Sequence, residues 1–259
     1  MSHPSSAGPS FVRPSRASLA TVALGLVLSL AACSGPAHDD GPLTAQSGER
    51  YARALLRAPT RKPCRAVTCR TVPRSTLLAS GDSTYVAALV GRDSVLRRWP
   101  VRVGAPIRVW LEPARRGLTG GVSDRERVAR IRSAFRRWEK VGVPVRFAFT
   151  RDTAEAEVRV RWVDSLPGPR AGFIRWTSDE QGWLTGADVA LARRDSAHRA
   201  YPLDVLDAVV THEVGHLLGL EHSPDPADVM AAQVQARAPS ERDRATARVL
   251  YSQPAGRVR

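Results

Sequence analysis

The chain has almost no lysine, few cysteines and methionines, few aromatic residues, and no long hydrophobic run. Lys62 and Lys140 are the only lysines, yet Lys+Arg 39 against Asp+Glu 25 gives a formal net charge of +14. The basicity is therefore arginine, scattered through every segment as a GC-rich coding bias would leave it. No nucleic-acid-binding motif accompanies the charge, so a nucleic-acid partner is not expected. Contact with anionic envelope polymers or acidic substrates is compatible with it. The apolar stretch Leu19–Ala32 has fourteen residues, short of the roughly 20 that a membrane-spanning helix needs. No internal repeat is present, which excludes solenoids and propellers. The cysteines are Cys33, Cys64 and Cys69.

The N-terminal segment reads as an export signal. Arg13 and Arg16 precede the apolar run, whose length suits a secretory h-region. The run ends Leu30-Ala31-Ala32-Cys33, which resembles a bacterial lipobox. That resemblance implies a signal peptide over 1–32, cleavage before Cys33 and lipidation of Cys33. Ser34 after the cysteine resembles an outer-membrane address, so the implied location is the bacterial cell envelope, with the membrane as partner through acyl chains. The alternative is ordinary cleavage nearby, with Cys33 incidental. Residues 33–62, rich in Gly, Pro and Ser, read as a flexible tether with a short helical turn at Tyr51–Arg57. An exported, oxidising setting favours a disulfide between Cys64 and Cys69. Residues 63–94 read as an N-terminal extension or a prosegment. The runs Thr84–Val90 and Ser94–Trp99, broken by Gly91-Arg92, are strand-like and suggest a hairpin.

The chemistry concentrates in His212-Glu213-Val214-Gly215-His216-Leu217-Leu218-Gly219-Leu220-Glu221-His222. His212 and His216, four apart, lie about 40° and about 6 Å apart on a helix, so both rings can face one ion. Val205, Val209, His212 and His216 share a stripe, which supports the helix. If the helix continued, His222 would point roughly 240° away from His216. The helix must stop, and Gly219 is placed to accept the left-handed conformation that ends it. Gly215 has no such duty and serves, if anything, as packing clearance. Three histidines at this spacing are expected to hold one catalytic zinc. Glu213 beside them is the expected general base toward a water that the zinc acidifies.

The eleven-residue stretch, with Met230 eight residues later, resembles the metzincin signature, and His222–Met230 looks like the loop to the Met-turn of matrixins, the matrix-metalloproteinase-like peptidases. The resemblance implies zinc ligands His212, His216 and His222, catalytic Glu213, and Met230 beneath the metal. It implies an α+β catalytic domain over 95–259: a five-stranded mixed twisted sheet, three helices and a zinc cleft at the active-site helix. Pro106–Pro113, Val145–Phe149, Glu157–Val163, Ala171–Trp176 and Ala187–Leu191 are the expected strands. Ser123–Lys140, with a capping box of Ser123 and Glu126, and Ser240–Tyr251 are the expected first and last helices. Asp243 falls near the family's acid in that last helix. Trp176 and Trp183 border the cleft or pack behind it.

The chain departs from the family in places. Ala231-Ala232-Gln233 follows Met230 where matrixins carry Tyr/Pro-rich residues walling a specificity pocket. No histidine occurs from Arg159 to Ala197, so a second, structural zinc is not expected. Asp164, Asp179 and Asp188 supply oxygens of the kind calcium takes, though isolated aspartates are ordinarily loop or surface residues. The surroundings of Cys64 and Cys69 do not match the family's zinc-blocking propeptide cysteine. The expected function is a zinc-dependent endopeptidase acting on peptide or protein substrates. The alternatives are a non-catalytic envelope binding protein stabilised by zinc, and an amidase or deacylase of cell-wall material.

Overall fold

The computed structural model describes residues 33–36, 71–79, 81–90, 94–113 and 124–259. The expected signal peptide, the Tyr51–Arg57 turn, the Gly91-Arg92 break, Cys64, Cys69 and the Ser123 half of the first capping box lie outside them. In chain order the elements are β1 (Cys33–Pro36), β2 (Thr71–Val72), α1 (Arg74–Leu78), a 3₁₀ turn (Gly81–Ser83) and α2 (Val86–Leu89). Then come β3 (Val95–Leu96), β4 (Ile107–Leu111), α3 (Asp124–Glu139), β5 (Phe147–Thr150), β6 (Val158–Val163), β7 (Gly172–Ser178) and β8 (Leu184–Ala192). The chain closes with α4 (Leu203–Leu217), α5 (Glu241–Ser252) and β9 (Gly256–Val258).

The main sheet runs β1-β7-β8-β6-β4-β5. Strands β4 to β8 are the expected five-stranded mixed sheet; only the β7–β8 pair is antiparallel. A sixth strand, β1, lies parallel along the outer edge of β7, with Cys33 opposite Phe173 and Pro36 opposite Trp176. Alternation builds β6, where Val158, Val160 and Trp162 are buried and Arg159 and Arg161 interleave between them. Strand β8, inside the sheet, buries nearly every residue from Ala187 to Ala192.

Helix α3 presents Ile131, Phe135 and Trp138, spaced for one helical face, to the core. Phe135 meets Phe147 and Phe149 of β5 edge-on, at 4.9 Å and 5.4 Å between ring centres. Its other neighbour is α4. The Trp138 indole donates to the carbonyl of Thr211 at 2.7 Å. Arg137 holds the buried Asp207 through both guanidinium nitrogens at 2.9 Å and 2.8 Å, and also donates to Thr211 Oγ1.

The stretch before the sheet differs from its sequence reading. Thr84–Val90 is not a strand; its central residues form α2. Tyr85, Val86, Leu89 and Val90 are all buried, and their i, i+1, i+4, i+5 spacing is a helical face that packs beside α5. Within Ser94–Trp99 only Val95–Leu96 is a strand, and it pairs with β9 rather than with residues 84–90. Strand β9 also takes β2 on its other side, giving a small sheet of order β2-β9-β3. Leu77, Tyr85, Val86, Leu96 and Trp99 belong to the same hydrophobic cluster as Val160, Leu191 and Leu217, so residues 71–99 share the core of the sheet and helices.

Candidate active site

Helix α4 begins after Pro202, which fixes the entry without needing an N–H to donate. From Leu206 to Leu217 every residue is buried. The helix ends as the histidine spacing demands. Gly219 has φ +96°, its N–H donates to the carbonyl of His216 at 2.8 Å, and Leu220 N–H donates back to Gly215 at 3.2 Å. This pair of bonds is the Schellman termination. A side chain at Gly219 is excluded twice, because a Cβ there would also lie 2.0 Å from the carbonyl oxygen of Arg97.

A helix end leaves carbonyls without partners. Here three buried aromatic side chains supply donors. Trp176 Nε1 donates to the His216 carbonyl at 2.8 Å, Trp99 Nε1 to Leu217 at 2.8 Å, and the Tyr251 hydroxyl to Leu218 at 3.2 Å. Trp176 therefore braces the helix end from β7. Trp183 is stacked under the Arg98 guanidinium at 4.7 Å.

The chain folds back at Gly219 and brings His222 to the other two imidazoles. Ring centres are 4.6 Å apart for His212–His216, 5.3 Å for His212–His222 and 4.9 Å for His216–His222. One nitrogen from each lies within 4.8 Å of the others, and among the described residues this is the group that could hold a metal. His212 Nδ1 lies 2.7 Å from the Val229 carbonyl and His216 Nδ1 lies 2.7 Å from the Leu220 carbonyl. A carbonyl only accepts, so each Nδ1 carries the hydrogen and each Nε2 keeps its lone pair. Nε2 of both rings is buried with no hydrogen-bond partner. Burial holds His212 neutral, its pKa lowered to about 3, and pushes that of His216 well down. Neutral imidazoles with bare, converging lone pairs fit a zinc ion.

Glu213 lies between the helix and β7, where burial raises its pKa well above the usual carboxyl range. Neither carboxyl oxygen has a hydrogen-bond partner among the described residues. The close fit depends on Gly172, where a Cβ would come 2.4 Å from Glu213 Oε1 and 2.7 Å from Val209.

Met230, which the resemblance put beneath the metal, is fully buried against α4 at Gly215. The clearance offered by Gly215 is for this residue and for α3: a Cβ at 215 would meet Met230 Sδ at 2.2 Å and Trp138 Cζ2 at 2.7 Å. The loop from 223 to 231 is closed by a bond from Ser223 N–H to the Met230 carbonyl at 2.8 Å. Asp228, 2 % exposed, accepts from the hydroxyls of Ser223 and Ser240. Asp243 accepts from the Val229 N–H at 2.9 Å, and it forms a capping box with Ser240 at the start of α5.

Three aspartates were expected to offer oxygens of the kind calcium takes. Asp179 accepts from the backbone N–H groups of Gln181 and Trp183, Asp164 pairs with Arg193 at 3.5 Å, and Asp188 lies opposite Arg175 in the sheet. The supporting roles of Asp228, Ser240 and Trp99 were not read from the sequence. For Ser240–Asp243 a signal was present, a capping-box spacing with Asp in place of Glu.

Residues 165–252 match the model of the matrixin family, peptidase family M10. No curated protein matches the chain.

Proposed function

We propose that this matrixin-like metzincin, a zinc metallopeptidase, is an endopeptidase in which Glu213 handles the protons of amide hydrolysis. The observation that carries the reading is the pair of buried, partnerless Nε2 atoms of His212 and His216 grouped with the third imidazole, with the buried, unpartnered carboxyl of Glu213 on the same helix. His212, His216 and His222 would hold the zinc. When bound, zinc supplies Lewis acidity that polarises a carbonyl and acidifies water. Glu213 accepts the proton of the attacking water and passes it to the departing amine. Burial raises its pKa, which makes the carboxylate a stronger proton acceptor than an exposed one. The Nδ1 bonds to Val229 and Leu220 keep the two helix imidazoles from rotating.

The substrate would be an extended peptide added to the outer edge of β7 by main-chain hydrogen bonds. Cys33–Pro36 takes that lane in this structure, so a substrate and this tetrapeptide compete for one strand edge. Ala231-Ala232 after Met230 would leave the neighbouring specificity pocket with a small-residue wall. Export and lipid anchoring at Cys33 to a bacterial envelope rest on the apolar run and on Leu30-Ala31-Ala32-Cys33. Among the described residues no helix is long and apolar enough to cross a membrane. Mass analysis of the N-terminal peptide of the exported protein tests the acylation.

The decisive experiment is Glu213→Ala. Caseinolysis is expected to disappear while zinc stays near one atom per chain. Equal proteolysis by the variant and the wild type would remove the enzymatic reading. Turnover of isolated cell wall without peptide cleavage would select amide hydrolysis on that material instead.

A further inference from the structure

A chain of hydrogen bonds ties the stretch before the sheet to the metal-holding loop. Tyr85 is buried at the start of α2. Its hydroxyl donates to Asp243 Oδ1 at 2.8 Å, and its backbone N–H donates to Thr246 Oγ1 at 3.1 Å. The second oxygen of Asp243 accepts from the N–H groups of Val229 at 2.9 Å and Ser240 at 2.8 Å. The carbonyl of the same Val229 accepts from His212 Nδ1 at 2.7 Å. Val229 is thus held on both sides, by Asp243 at its N–H and by His212 at its C=O. Three bonds separate the Tyr85 phenol from a ligand imidazole.

Two further ties join the same stretch to the end of α4. The Arg97 carbonyl lies against the bare Cα of Gly219, where a Cβ would be 2.0 Å away. The Trp99 indole caps the Leu217 carbonyl at 2.8 Å. Both act at the bend that delivers His222. A segment shed on activation would take with it a helix cap, the floor under the bend and the outer partner of Asp243. It would also strip both neighbours from β9.

We infer that residues 71–99 are a permanent working part of the peptidase, and that Tyr85 is a positioning residue for His212, acting through Asp243 and Val229. The inference rests on the zinc reading above and adds a role for a segment outside the ligand motif. Asp243 is fully buried. Without the phenol, its Oδ1 loses a donor in a place water does not replace, and the carboxyl turns away from its optimum toward Val229.

The test compares Tyr85→Phe with Leu77→Ala in the full chain. Leu77→Ala removes core packing from the same segment without touching the relay. Zinc affinity is read by chelator competition, folding by thermal melting, and the loop by amide hydrogen exchange at Val229–Ala231 in metal-free protein. Tyr85→Phe is expected to weaken zinc affinity about tenfold, the lower end of the loss when a partner beyond the ligands is removed. Exchange at Val229–Ala231 should quicken with it. Leu77→Ala is expected to lower the melting temperature more and zinc affinity less. Tyr85→Phe with wild-type zinc affinity and wild-type exchange would overturn the inference. So would an active self-processed species that begins after residue 100 and binds zinc as tightly as the full chain. If the wild type bound no zinc, the site reading would fail, and the exchange comparison would still decide the relay.

Discussion

Gly215→Ala separates two opposed effects at one position. In an ordinary helix interior alanine is favoured over glycine by about 1 kcal/mol. At 215 the new Cβ would lie 2.2 Å from Met230 Sδ and 2.7 Å from Trp138 Cζ2. Neither neighbour has room to yield. Both are fully buried, and the Trp138 indole is held by its bond to Thr211. Overpacking of a filled core costs about 1–3 kcal/mol, and two contacts this close argue for about 3. The net effect is a destabilisation of about 2 kcal/mol, or a fall of about 4–8 °C in melting temperature for a domain of this size. Thermal melting of the metal-free protein measures it. Zinc affinity should fall as well, because a displaced Met230 drags Val229 and so the His212 imidazole. In a Met230→Ala background the sulfur is gone, and the penalty should drop to about 1 kcal/mol or less. A Gly215→Ala protein as stable as the wild type would refute the packing argument. So would an equal penalty in both backgrounds.

Two other outcomes follow from the structure. Asp207→Ala leaves Arg137 facing a buried space without its two bonds, and should cost about 2–3 kcal/mol in denaturant unfolding; the partial exposure of Arg137 keeps the loss below that of a fully buried pair. The metal-free protein should lose stability as pH falls below about 6.5. His212 and His216 are held neutral by burial, so below that pH the unfolded chain gains two protons there; Glu213, whose pKa burial raises, binds one more proton in the folded chain and offsets only part of that difference. Urea melts at stepped pH show it, and a flat profile between pH 7 and 5 would contradict it.

The site was legible where its logic is local. Histidines four apart specify a shared helix face, and the third one requires the bend at Gly219, which the structure has at φ +96°. Of strands β4 to β8, β5 and β6 were legible through alternation and the others through the order of elements that the resemblance implied, with ends displaced by a few residues because fraying ends carry no periodic signal. Thr84–Val90 was misread because a short apolar run satisfies both periods, and only its packing beside α5 decides for the helix. The braces were not legible at all. Trp99 reaches Leu217 across 118 positions and Tyr85 reaches Asp243 across 158. No spacing rule connects residues that far apart; only the completed fold does. Gly215 stands between these cases, since its smallness suggests clearance but not whether Met230 or another residue needs it.

Strand β9 pairs Arg257 with Thr71 on one side and with Val95 on the other. Such a clasp has a very high contact order, because the loop it closes contains nearly the whole domain. The entropy of that closure must be met before pairing returns any free energy. The clasp therefore forms after the sheet and α4 have collapsed, and it cannot nucleate them. Early and late stretches of the polypeptide thereby melt as one cooperative unit. A lesion in β9 therefore also unpairs Thr71–Val72 and Val95–Leu96.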